Sequence, residues 1–578
     1  MLRNFYPSGS IIIKEGEKNM DGLRIVALGG FHSVTSNMYL YHYLPAGREE
    51  NSQILIVDCG VGFPEDNALG VDLVIPDVAY LKERQDKIVG MILTHGHEDH
   101  IGATPFILPQ LSVKFPIWAS RLTTALIKDK LEERSMDYPL STFDGRQKVR
   151  LGVFEIDPVR VTHSIPDAHH FLIKTPVGNF YHGSDFKVDL TPPDNVLSDL
   201  NKIASFKQAG VSVLLSDCLG ADKDGYSKSE SCLNQAFEDE IRQARGRVFI
   251  TAISSNLYRW QNAIEISRKF GRRVCLLGFS IKKMIRIAKE LEYLKINPKD
   301  LIDPKRVTGL PDNQITFLVA RSLGQPGSNL EKVVLGKHRI SIKKGDKVIF
   351  SSPDYIPGTS KAIYRLIDNL IQQQADVIYG SDEGTFHVSG HGHQKELALL
   401  INLLSPQKLL PIGGEYRHAH QYRLLAKQMG FKSDDVLIPD LGGVPTFWAD
   451  GRVDLDFKFS PRKILVDGLG IGDVGKVVLR DRRILSQDGI VVAILLVDNQ
   501  QKILTEDPEI VSRGFVYVKE NKELLVRTQQ EIRKIFDEAS SPVYDYDNVR
   551  FQTQGKLEEF LFAETGRQPM VIPVMFEV

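Results

Sequence analysis

Cysteine is scarce in this chain of 578 residues, which contains only Cys59, Cys218, Cys232 and Cys275. The four lie far apart and form no C-x-x-C pair, so the sequence excludes a disulfide-stapled scaffold and a zinc finger built from thiolates. This usage is typical of a protein kept in a reducing compartment. We therefore expect a cytoplasmic protein.

Long apolar runs are also missing. The longest covers residues 490–497, far short of the roughly 20 apolar residues that a transmembrane helix needs. Near the start of the chain the one apolar run, at 11–13, is too short for the core of a secretory signal. The sequence predicts no association with a membrane.

An excess of charge of one sign is absent as well, since 72 Lys and Arg face 73 Asp and Glu. No field of the whole molecule would draw it to a polyanion, so a nucleic-acid surface would have to be local. Residues 241–350 hold 23 Lys and Arg against 8 Asp and Glu. Solvated helix faces would explain a single basic run, but a whole domain polarised in this way favours a phosphate-binding surface.

Short apolar strands alternate with helical patterns along most of the chain, which is typical of a layered α/β protein. From about Val211 the strands become near-continuous apolar runs with helices between them. This change predicts βαβ units on a parallel sheet. A third unit begins at about residue 456.

The segment THGHEDH, residues 94–100, follows a buried strand and precedes a helix. In an extended loop His95 and His97 can point the same way, whereas Asp99 and His100 at the turn into the helix face a second point. Two neutral imidazoles bind a metal such as zinc, and an adjacent Asp/His pair can hold a second one. The alternative is a polar surface loop that merely contains three histidines.

Three further residues follow strands and suit the same chemistry. His163 and Asp185 would each be ordinary loop residues alone, but beside the H-x-H-x-D-H segment they fit a third histidine ligand and a bridging carboxylate. Two metals about 3.5–4 Å apart are a device for hydrolysis and phosphoryl transfer. Asp58 either orients a ligand from behind the site or caps a turn.

At this point the sequence resembles a known family. THGHEDHIGA, HSIPD and SDFK resemble signatures of the metallo-β-lactamase fold, and LLSDC, HVSGHG and GGEYRH are similar to its β-CASP nuclease branch. FPEDNALGVDLVIPD, SSNLYRWQ, IPDLGGV, LVDGLGIGDVG and SRGFVYV resemble bacterial ribonuclease J in particular. The resemblance covers nearly the whole chain beyond about residue 22.

The resemblance implies an α/β fold in which a metallo-β-lactamase αββα sandwich is interrupted by a β-CASP α/β domain and followed by a small C-terminal α/β domain. We predict six segments: an extension at 1–22, the first part of the metallo-β-lactamase core at 23–210, the β-CASP domain at 211–384, the second part of the core at 385–450, a linker at 451–463 and the C-terminal domain at 464–578.

The implied function is a metal-dependent ribonuclease of RNA decay and maturation. It would cleave single-stranded RNA as a 5′→3′ exonuclease and as an endonuclease. The alternative is a weakly active or non-catalytic RNA-binding subunit of a ribonuclease J assembly. A small-ester hydrolase of the same fold would not need the basic insert, and a DNA-repair nuclease fits the C-terminal unit less well. The expected partners are RNA and further subunits, as a homodimer or homotetramer formed through the C-terminal domain or with a paralogous chain.

The resemblance also implies roles for individual residues. One Zn²⁺ would be held by His95, His97 and His163 and a second by Asp99 and His100, with Asp185 bridging them; Mn²⁺ or Mg²⁺ are alternatives. Asp217 and His391 would be the β-CASP acid and histidine, with His391 as general acid and Asp217 supporting it. The expected phosphate-binding and RNA-binding residues are His387, Ser389, Gly390, His391, Ser254, Ser255, Asn256 and Arg259. For Arg259 a structural salt bridge is the alternative.

Two segments depart from the family pattern. Gly413, in PIGGEYRH, stands where the family usually has the histidine that completes the second metal site. GGFHSVTSNM stands where it usually has G-E-I-G before N-M. We therefore expect the second metal to bind weakly, unless His418 or His420 replaces the missing ligand.

Overall fold

The computed structural model describes residues 20–65, 68–320, 328–351, 360–380, 384–440, 442–468, 470–498, 500–501, 503–515, 522–539 and 545–578. Most of the expected extension at 1–22 lies outside these ranges. The chain forms two compact units. The first runs up to Phe63 and continues over Val74–Ile464; the second combines Pro64–Leu73 with Leu465–Val578.

An eight-stranded sheet forms one layer of the first unit. Numbered in chain order and given in spatial order, its strands are β20 (Val453–Asp454), β19 (Thr446–Trp448), β1 (Gly22–Gly29), β2 (Met38–Leu44), β3 (Gln53–Val57), β5 (Ile88–Ile92), β6 (Ile117–Ala119) and β7 (Leu140–Thr142). The same part of the chain contains the short strand β4 (Leu73–Pro76) and the helices α1 (Ala79–Lys82), α2 (Glu98–Ile101), α3 (Thr104–Ile107) and α4 (Arg121–Glu132).

A six-stranded sheet packs against the first. In spatial order its strands are β18 (Lys408–Ile412), β12 (Val213–Asp217), β11 (Gly178–Gly183), β10 (Ala168–Thr175), β9 (Phe154–Val161) and β8 (Val149–Leu151). Buried side chains of both sheets, such as Tyr41 and Phe171, form one apolar cluster between the layers. The outer face is covered by α5 (Leu200–Ala209), α11 (Gln394–Leu404) and α12 (Tyr416–Gln428). This is the predicted sandwich.

The position of β12 corrects one predicted boundary. The sequence assigned the run from Val211 to the inserted domain, yet β12 pairs in parallel with β11 and β18 inside the six-stranded sheet. Both of its faces are buried, so its continuous apolar run has the same pattern as a strand of an all-parallel sheet. The inserted domain therefore begins after Asp217.

The inserted domain is built on a five-stranded parallel sheet, as predicted. In spatial order the strands are β14 (Arg273–Leu277), β15 (Ile315–Ala320), β13 (Val248–Ala252), β16 (Lys347–Phe350) and β17 (Asp376–Ile378). The accompanying helices are α6 (Asn234–Gln243), α7 (Leu257–Lys269), α8 (Phe279–Glu290), α9 (Asn329–Val334) and α10 (Ser360–Gln372). Its own apolar core includes Phe249, Phe317 and Leu370.

The second unit contains a three-stranded sheet with the order β24 (Glu509–Arg513), β23 (Ile490–Val497) and β25 (Met570–Glu577), and a short hairpin of β21 (Lys463–Asp467) and β22 (Gly470–Ile471). Its helices are α13 (Lys476–Gln487), α14 (Lys522–Ala539) and α15 (Tyr546–Thr565). Helices α14 and α15 contribute Phe536 and Leu557 to the core on one face of the sheet. Among the described residues, no helix has the length and apolar character that crossing a membrane requires.

The directions of the strands bring the sequence motifs to one edge of the sandwich. Strands β11, β12 and β18 are parallel, and β9 runs the same way because both β9 and β11 are antiparallel to β10. In the other sheet β3 and β5 are parallel. Residues at the ends of these strands or just after them therefore emerge together: Asp58, His95, His163, Asp185, Asp217 and Gly413.

Candidate metal centre

Four side chains converge at this edge to form the first ligand group. His97 Nδ1 lies 3.1 Å from both His95 Nε2 and His163 Nε2. Asp185 Oδ2 lies 3.7 Å from each of the same two Nε2 atoms. All four ligand atoms are within 4.8 Å of one another. The four residues come from three separate segments of the chain, so the fold itself assembles the group.

Hydrogen bonds on the far side of the His95 and His163 rings orient each imidazole so that the lone pair of Nε2 points at the first ligand group. His163 Nδ1 donates to the backbone oxygen of Gly390 (2.6 Å), which can only accept, and this leaves Nε2 unprotonated towards the group. Thr94 Oγ1 lies 3.0 Å from His95 Nδ1 and donates to Asp58 Oδ2 (2.8 Å), so it accepts from His95. Burial lowers the pKa of His97 to about 3 and holds the pKa values of His95 and His163 well below their usual range. All three imidazoles are therefore neutral, the form that binds a metal.

The spacing of these atoms fits a tetrahedral metal. Four of the six distances between the ligand atoms are 3.1–3.7 Å, and a regular tetrahedron with edges of this length has its centre about 2.1 Å from its corners, which matches Zn–N and Zn–O bond lengths. Three imidazoles and one carboxylate are also a ligand set that zinc accepts. The residues present therefore fit the predicted metal.

Asp99, His100 and Asp185 form a second ligand group beside the first. His100 Nε2 lies 3.6 Å from Asp99 Oδ2 and 3.4 Å from Asp185 Oδ2, so Asp185 belongs to both groups. Behind the ring, His100 Nδ1 donates to Asp58 Oδ2 (2.8 Å). Burial alone would lower the pKa of His100, but Asp185, Asp99 and Asp58 raise it well above its usual range. The three carboxylates around His100 thus create a negative potential, and a bound divalent cation would neutralise it in the same way as a proton.

Asp58 lies behind both groups, where the sequence places a supporting residue. Its carboxylate accepts from the backbone N–H of Thr94 (2.8 Å), from Thr94 Oγ1 and from His100 Nδ1. The side chain is completely buried. It therefore orients one histidine of each group, directly for His100 and through Thr94 for His95.

His391 and Asp217 form a pair beside the same carboxylate, that of Asp185. His391 Nδ1 donates to Asp217 Oδ2 (2.7 Å), and its Nε2 lies 3.8 Å from Asp185 Oδ2. Burial alone would lower the pKa of His391, but Asp217 and Asp185 outweigh it and raise the pKa to about 9. At neutral pH His391 therefore carries a proton at Nε2, facing the metal groups.

The segment that carries His391 is packed tightly against His163. A Cβ atom on Gly390 would lie 3.0 Å from His163 Cε1 and 3.0 Å from Ser164 Oγ, so a side chain at Gly390 would crowd both. Ser389 Oγ accepts from the backbone N–H of His391 and donates to its backbone oxygen. His387, the other expected phosphate-binding residue, lies four positions before His391, and of this segment Gly390 and His391 contact the metal groups.

Two supporting residues were missed by the sequence analysis. Lys187 is buried although it is a lysine, and its Nζ donates to the backbone oxygens of Ser389 (3.2 Å) and Lys228 (3.0 Å). Asn37 Nδ2 lies 3.1 Å from His100 Nε2, and the Asn37 N–H donates to the backbone oxygen of Asp99 (2.9 Å). The only sequence signal was proximity along the chain, since Lys187 lies two positions after Asp185 in SDFK and Asn37 lies in the N-M pair that closes the altered segment.

The expected RNA contacts of the middle domain lie at the carboxyl end of β13. Asn256 is the N-cap of α7 and accepts from the Arg259 N–H, whereas Ser254 is half-buried and Ser255 buried. Arg259 differs from the expectation. Its guanidinium is buried, donates to Glu230 Oε1 (2.7 Å) and to the backbone oxygen of Ser351 (2.8 Å), and so serves as a structural ion pair and not as an exposed RNA contact.

The two departures from the family pattern are neighbours in space. The Gly413 N–H donates to the backbone oxygen of Gly30 (2.9 Å), in the altered segment. A Cβ atom on Gly413 would lie 3.8 Å from Asp217 Oδ1 and 3.9 Å from Asp185 Oδ1. His418 does not reach the groups: its Nδ1 accepts from the Glu415 N–H, and its Nε2 lies 3.6 Å from Asp222. His420 is exposed. Position 413 thus faces the shared carboxylate without providing a ligand.

Comparison with known proteins identifies the chain. Four sequence families match it: the beta-lactamase superfamily domain at 54–209, the ribonuclease J beta-CASP domain at 245–370, the Zn-dependent metallo-hydrolase RNA specificity domain at 384–439 and the ribonuclease J C-terminal domain at 477–578. The chain is 35% identical to ribonuclease J2 of Bacillus subtilis (strain 168) over 566 residues, which cover 97% of this chain and 100% of that protein. It belongs to the ribonuclease J family.

Other ribonuclease J proteins give the same result. Identity is 33% to ribonuclease J 2 of Staphylococcus aureus (strain NCTC 8325 / PS 47), over 97% of this chain and 99% of that one. It is 34% to ribonuclease J 1 of Streptococcus pyogenes serotype M3, over 95% and 97%. A crystal structure of a protein of unknown function from Enterococcus faecalis V583 shares the fold, with a TM-score of 0.50 and 15% identity over 74% of this chain and 99% of that chain.

Family membership and fold together make the chain a metal-dependent ribonuclease that binds RNA. The predicted family and the predicted fold are confirmed. The ligand groups described above lie in the matched lactamase domain, and the His391 segment lies in the matched RNA specificity domain.

Proposed function

We propose that this ribonuclease degrades single-stranded RNA from its 5′ end and also cleaves internally, with Asp185 at the reaction centre. The observation that carries the proposal is the convergence of three groups of side chains on one carboxylate, that of Asp185. His95, His97 and His163 would hold a tightly bound Zn²⁺ together with Asp185. Asp99, His100 and Asp185 would hold a second, weaker metal, for which Mn²⁺ or Mg²⁺ are alternatives.

The chain's own residues then have distinct tasks. When bound, divalent metals polarise the scissile phosphate and activate the attacking water. Asp58 and Thr94 keep His95 and His100 in the orientation that ligation requires. His391, oriented by Asp217, delivers its Nε2 proton to the leaving 3′ oxygen. Asp58, Thr94 and Asp217, which hold His95, His100 and His391, are all buried, so this part of the site is built before RNA arrives.

The segment 387–391 would bind the 5′ end. It consists of small residues and histidines. Its shape is fixed by the bond from Lys187 to the Ser389 backbone oxygen and by the bonds of Ser389 Oγ with the His391 backbone. A rigid pocket of this kind accepts a monophosphate and crowds a triphosphate. We expect 5′-monophosphorylated RNA to decay faster than the same RNA with a 5′-triphosphate, measured with a label at the 3′ end. Equal rates on the two substrates would contradict the pocket and favour internal cleavage.

The metal groups are tested by replacing Asp99 and His100 with alanine together. We expect RNA hydrolysis to fall by more than about 100-fold, the largest loss usual when only a supporting residue of a metal site is removed. The circular dichroism spectrum should not change, because Asp99 and His100 lie in a short helix at the edge of the sandwich. Metal content per chain is measured on the same samples.

A matched control removes the same two residue types elsewhere. Asp434 and His420 are both exposed and lie outside the ligand groups, so the double alanine variant at these positions should keep full activity and metal content. Unchanged hydrolysis by the Asp99/His100 variant at equal metal content would refute the assigned centre.

Gly413 supports a second candidate, a weakly active RNA-binding subunit of a ribonuclease assembly. Because position 413 faces Asp185 and Asp217 without a side chain, the second metal lacks a ligand there. A chain of this kind would bind RNA normally and turn it over slowly unless divalent ion is added in excess. Turnover that already equals its maximum at low metal would exclude this candidate.

The proposed assembly is a homodimer or homotetramer through the C-terminal unit, or a complex with a paralogous chain. On the face of its sheet away from α14 and α15, seven apolar side chains are only partly buried and Phe576 is exposed; the seven are Ile490, Val492, Ile494, Leu496, Met570, Ile572 and Val574. A contiguous apolar face favours association. Light scattering of the full chain and of a Val492→Lys variant tests it, and a monomeric wild type would contradict it.

A further inference from the structure

The carboxyl edge of the five-stranded parallel sheet faces the metal groups. Ser351, at the end of β16, donates through Oγ to the backbone oxygen of Phe386 (2.6 Å), and Phe386 lies five residues before His391. A second connection runs through α8. Lys283 Nζ lies 2.8 Å from Glu133 Oε1 on α4, and Lys130 of α4 contacts Glu98 (2.7 Å) within the H-x-H-x-D-H segment. Ligands of open parallel sheets bind at this edge.

Two large apolar side chains are exposed at the same edge. Phe279, which directly follows β14 and Gly278, has 74% of its surface exposed, and Ile253, which directly follows β13, has 43%. Single exposed apolar residues are common and need no explanation. Here, however, two of them follow strands of one edge that are separated only by β15, with the hydroxyl residues Ser254 and Ser280 and the exposed Lys282 next to them in sequence.

The position of Phe279 on α8 directs it towards the ribonuclease centre. Residues 279, 283 and 286 share one face of the helix, since they are four and three positions apart. Lys283 and Arg286 use that face to contact Glu133 and Asp129 of α4. Phe279 therefore extends this face by one turn, beyond the contact with α4 and towards the carboxyl edge.

We propose that Phe279 and Ile253 form a stacking platform for nucleobases of the single-stranded RNA on its way to the metal groups. The proposal rests on the ribonuclease function. Every base has a π-face, so aromatic and apolar platforms bind single strands without demanding a sequence. Strand β15 lies between β13 and β14, which separates the two side chains by about 10 Å, or two strand spacings. They would thus contact different nucleotides, while Lys282 attracts the backbone.

The platform is tested by binding of a phosphorothioate-linked oligoadenylate with a 5′-monophosphate, which resists hydrolysis, to the metal-loaded full chain. Phe279→Ala should weaken the affinity about 5- to 100-fold, the range for losing one stacked base. Phe279→Trp should restore it. In an oligonucleotide series with one abasic position at a time, removing the stacked base should weaken binding to wild type and have no further effect on Phe279→Ala. Ile253→Ala, which removes an apolar contact without a ring, should show a smaller loss, at a different position.

Ile371→Ala is the matched control. Ile371 is 48% exposed in the last turn of α10, near the amino edge of the same sheet, where Gly345 before β16 bonds to Gln374. The Ile371→Ala variant should bind the oligonucleotide with wild-type affinity. Three results for Phe279→Ala would overturn the platform and leave the ribonuclease assignment standing. They are wild-type affinity, an abasic profile unchanged from wild type, and a reduced salt dependence, which would indicate a lost phosphate contact. Failure of wild type to bind the oligonucleotide would refute RNA binding itself.

Discussion

At the scale of single residues, Gly413 has the largest consequence for the site. Its φ of +65° lies in the left-handed region, where glycine is favoured but histidine is tolerated better than most residues. The nearest atoms to an added Cβ are carboxylate oxygens at ordinary contact distance. The backbone therefore leaves room for a side chain directed at Asp185 and Asp217.

We predict that Gly413→His tightens the second metal. Wild type should bind about one metal per chain tightly, because three neutral imidazoles and Asp185 form the first group, whereas the second group has only two carboxylates and one imidazole. The added imidazole should raise the affinity of the second site by about tenfold or more, given the 10- to 100-fold losses that even supporting residues cause. Metal titration by calorimetry and elemental analysis measures both sites.

Gly413→Ala controls for strain at this backbone position, since it adds the Cβ without a ligand, and it should not improve the second site. His418→Ala should leave metal binding unchanged because His418 is held by Glu415 and lies by Asp222. Two equally tight metals in wild type would show that the missing histidine has no effect. Loss of a metal in His418→Ala would show that His418 had been recruited.

The sequence pattern predicted the metal ligands of this site, including the distant His163 and Asp185, but not the contacts of His391 and Arg259. The H-x-H-x-D-H segment predicts its own ligands because they lie within six residues after one strand. The contact of His391 with Asp217 joins residues 174 positions apart, and it was expected only through the family resemblance. The burial of Arg259 against Glu230 had no sequence signal, because an arginine beside an N-cap is equally consistent with an exposed position.

At the scale of secondary structure elements, one ion pair connects several segments of the inserted domain. Glu230 opens a short 3₁₀ helix at Glu230–Leu233 and accepts from Arg259 of α7 and from the N-cap residue Asn256. Arg259 also donates to the end of β16 at Ser351. Both side chains of the pair are 3% exposed. Removing either charge would leave the other buried without a counter-charge.

We predict that Glu230→Ala lowers the free energy of unfolding of the domain by about 3–5 kcal/mol, the usual cost of breaking a buried pair. Replacing both Glu230 and Arg259 with methionine should cost less, because no unpaired charge stays behind. Thermal and urea denaturation of the full chain, followed by fluorescence, would show the order of the variants.

Asp312→Ala is a suitable comparison, since it breaks the Lys343–Asp312 pair, whose side chains are 54% and 42% exposed. An exposed pair contributes about 0–1 kcal/mol. If Glu230→Ala were no less stable than Asp312→Ala, the buried pair would not stabilise the junction of these elements.

Element boundaries were harder to predict than element types. The parallel sheet of the insert was predicted from continuous apolar runs alternating with helices, and it is present. The same pattern misassigned β12, because a strand covered on both faces by the sandwich and its helices is as apolar as a strand of the insert. Only the pairing of β12 with β11 and β18, which no local pattern encodes, shows that this strand belongs to the sandwich.

At the scale of the whole molecule, the distribution of charge matters more than its sum. The basic excess of residues 241–350 is partly balanced by acids from other segments, as in the contacts of Lys283 with Glu133, Arg286 with Asp129 and Lys347 with Asp376. We expect the remaining excess to make binding of RNA sensitive to salt, with a slope of about −0.7 per neutralised phosphate on single strands. The slope is therefore expected to be smaller than the full count of basic residues suggests.

Which edge of the parallel sheet faces RNA can be read from that slope. Lys282 is exposed at the start of α8, at the carboxyl edge, whereas Lys344 is exposed just before β16, at the amino edge. Replacement of either lysine by alanine changes the net charge equally. We predict that Lys282→Ala makes the slope of log K against log salt less negative by about 0.7, one phosphate contact, and that Lys344→Ala leaves it unchanged. Anisotropy titrations over a range of salt concentrations measure both. The reverse result would place the RNA path at the amino edge, away from the metal groups.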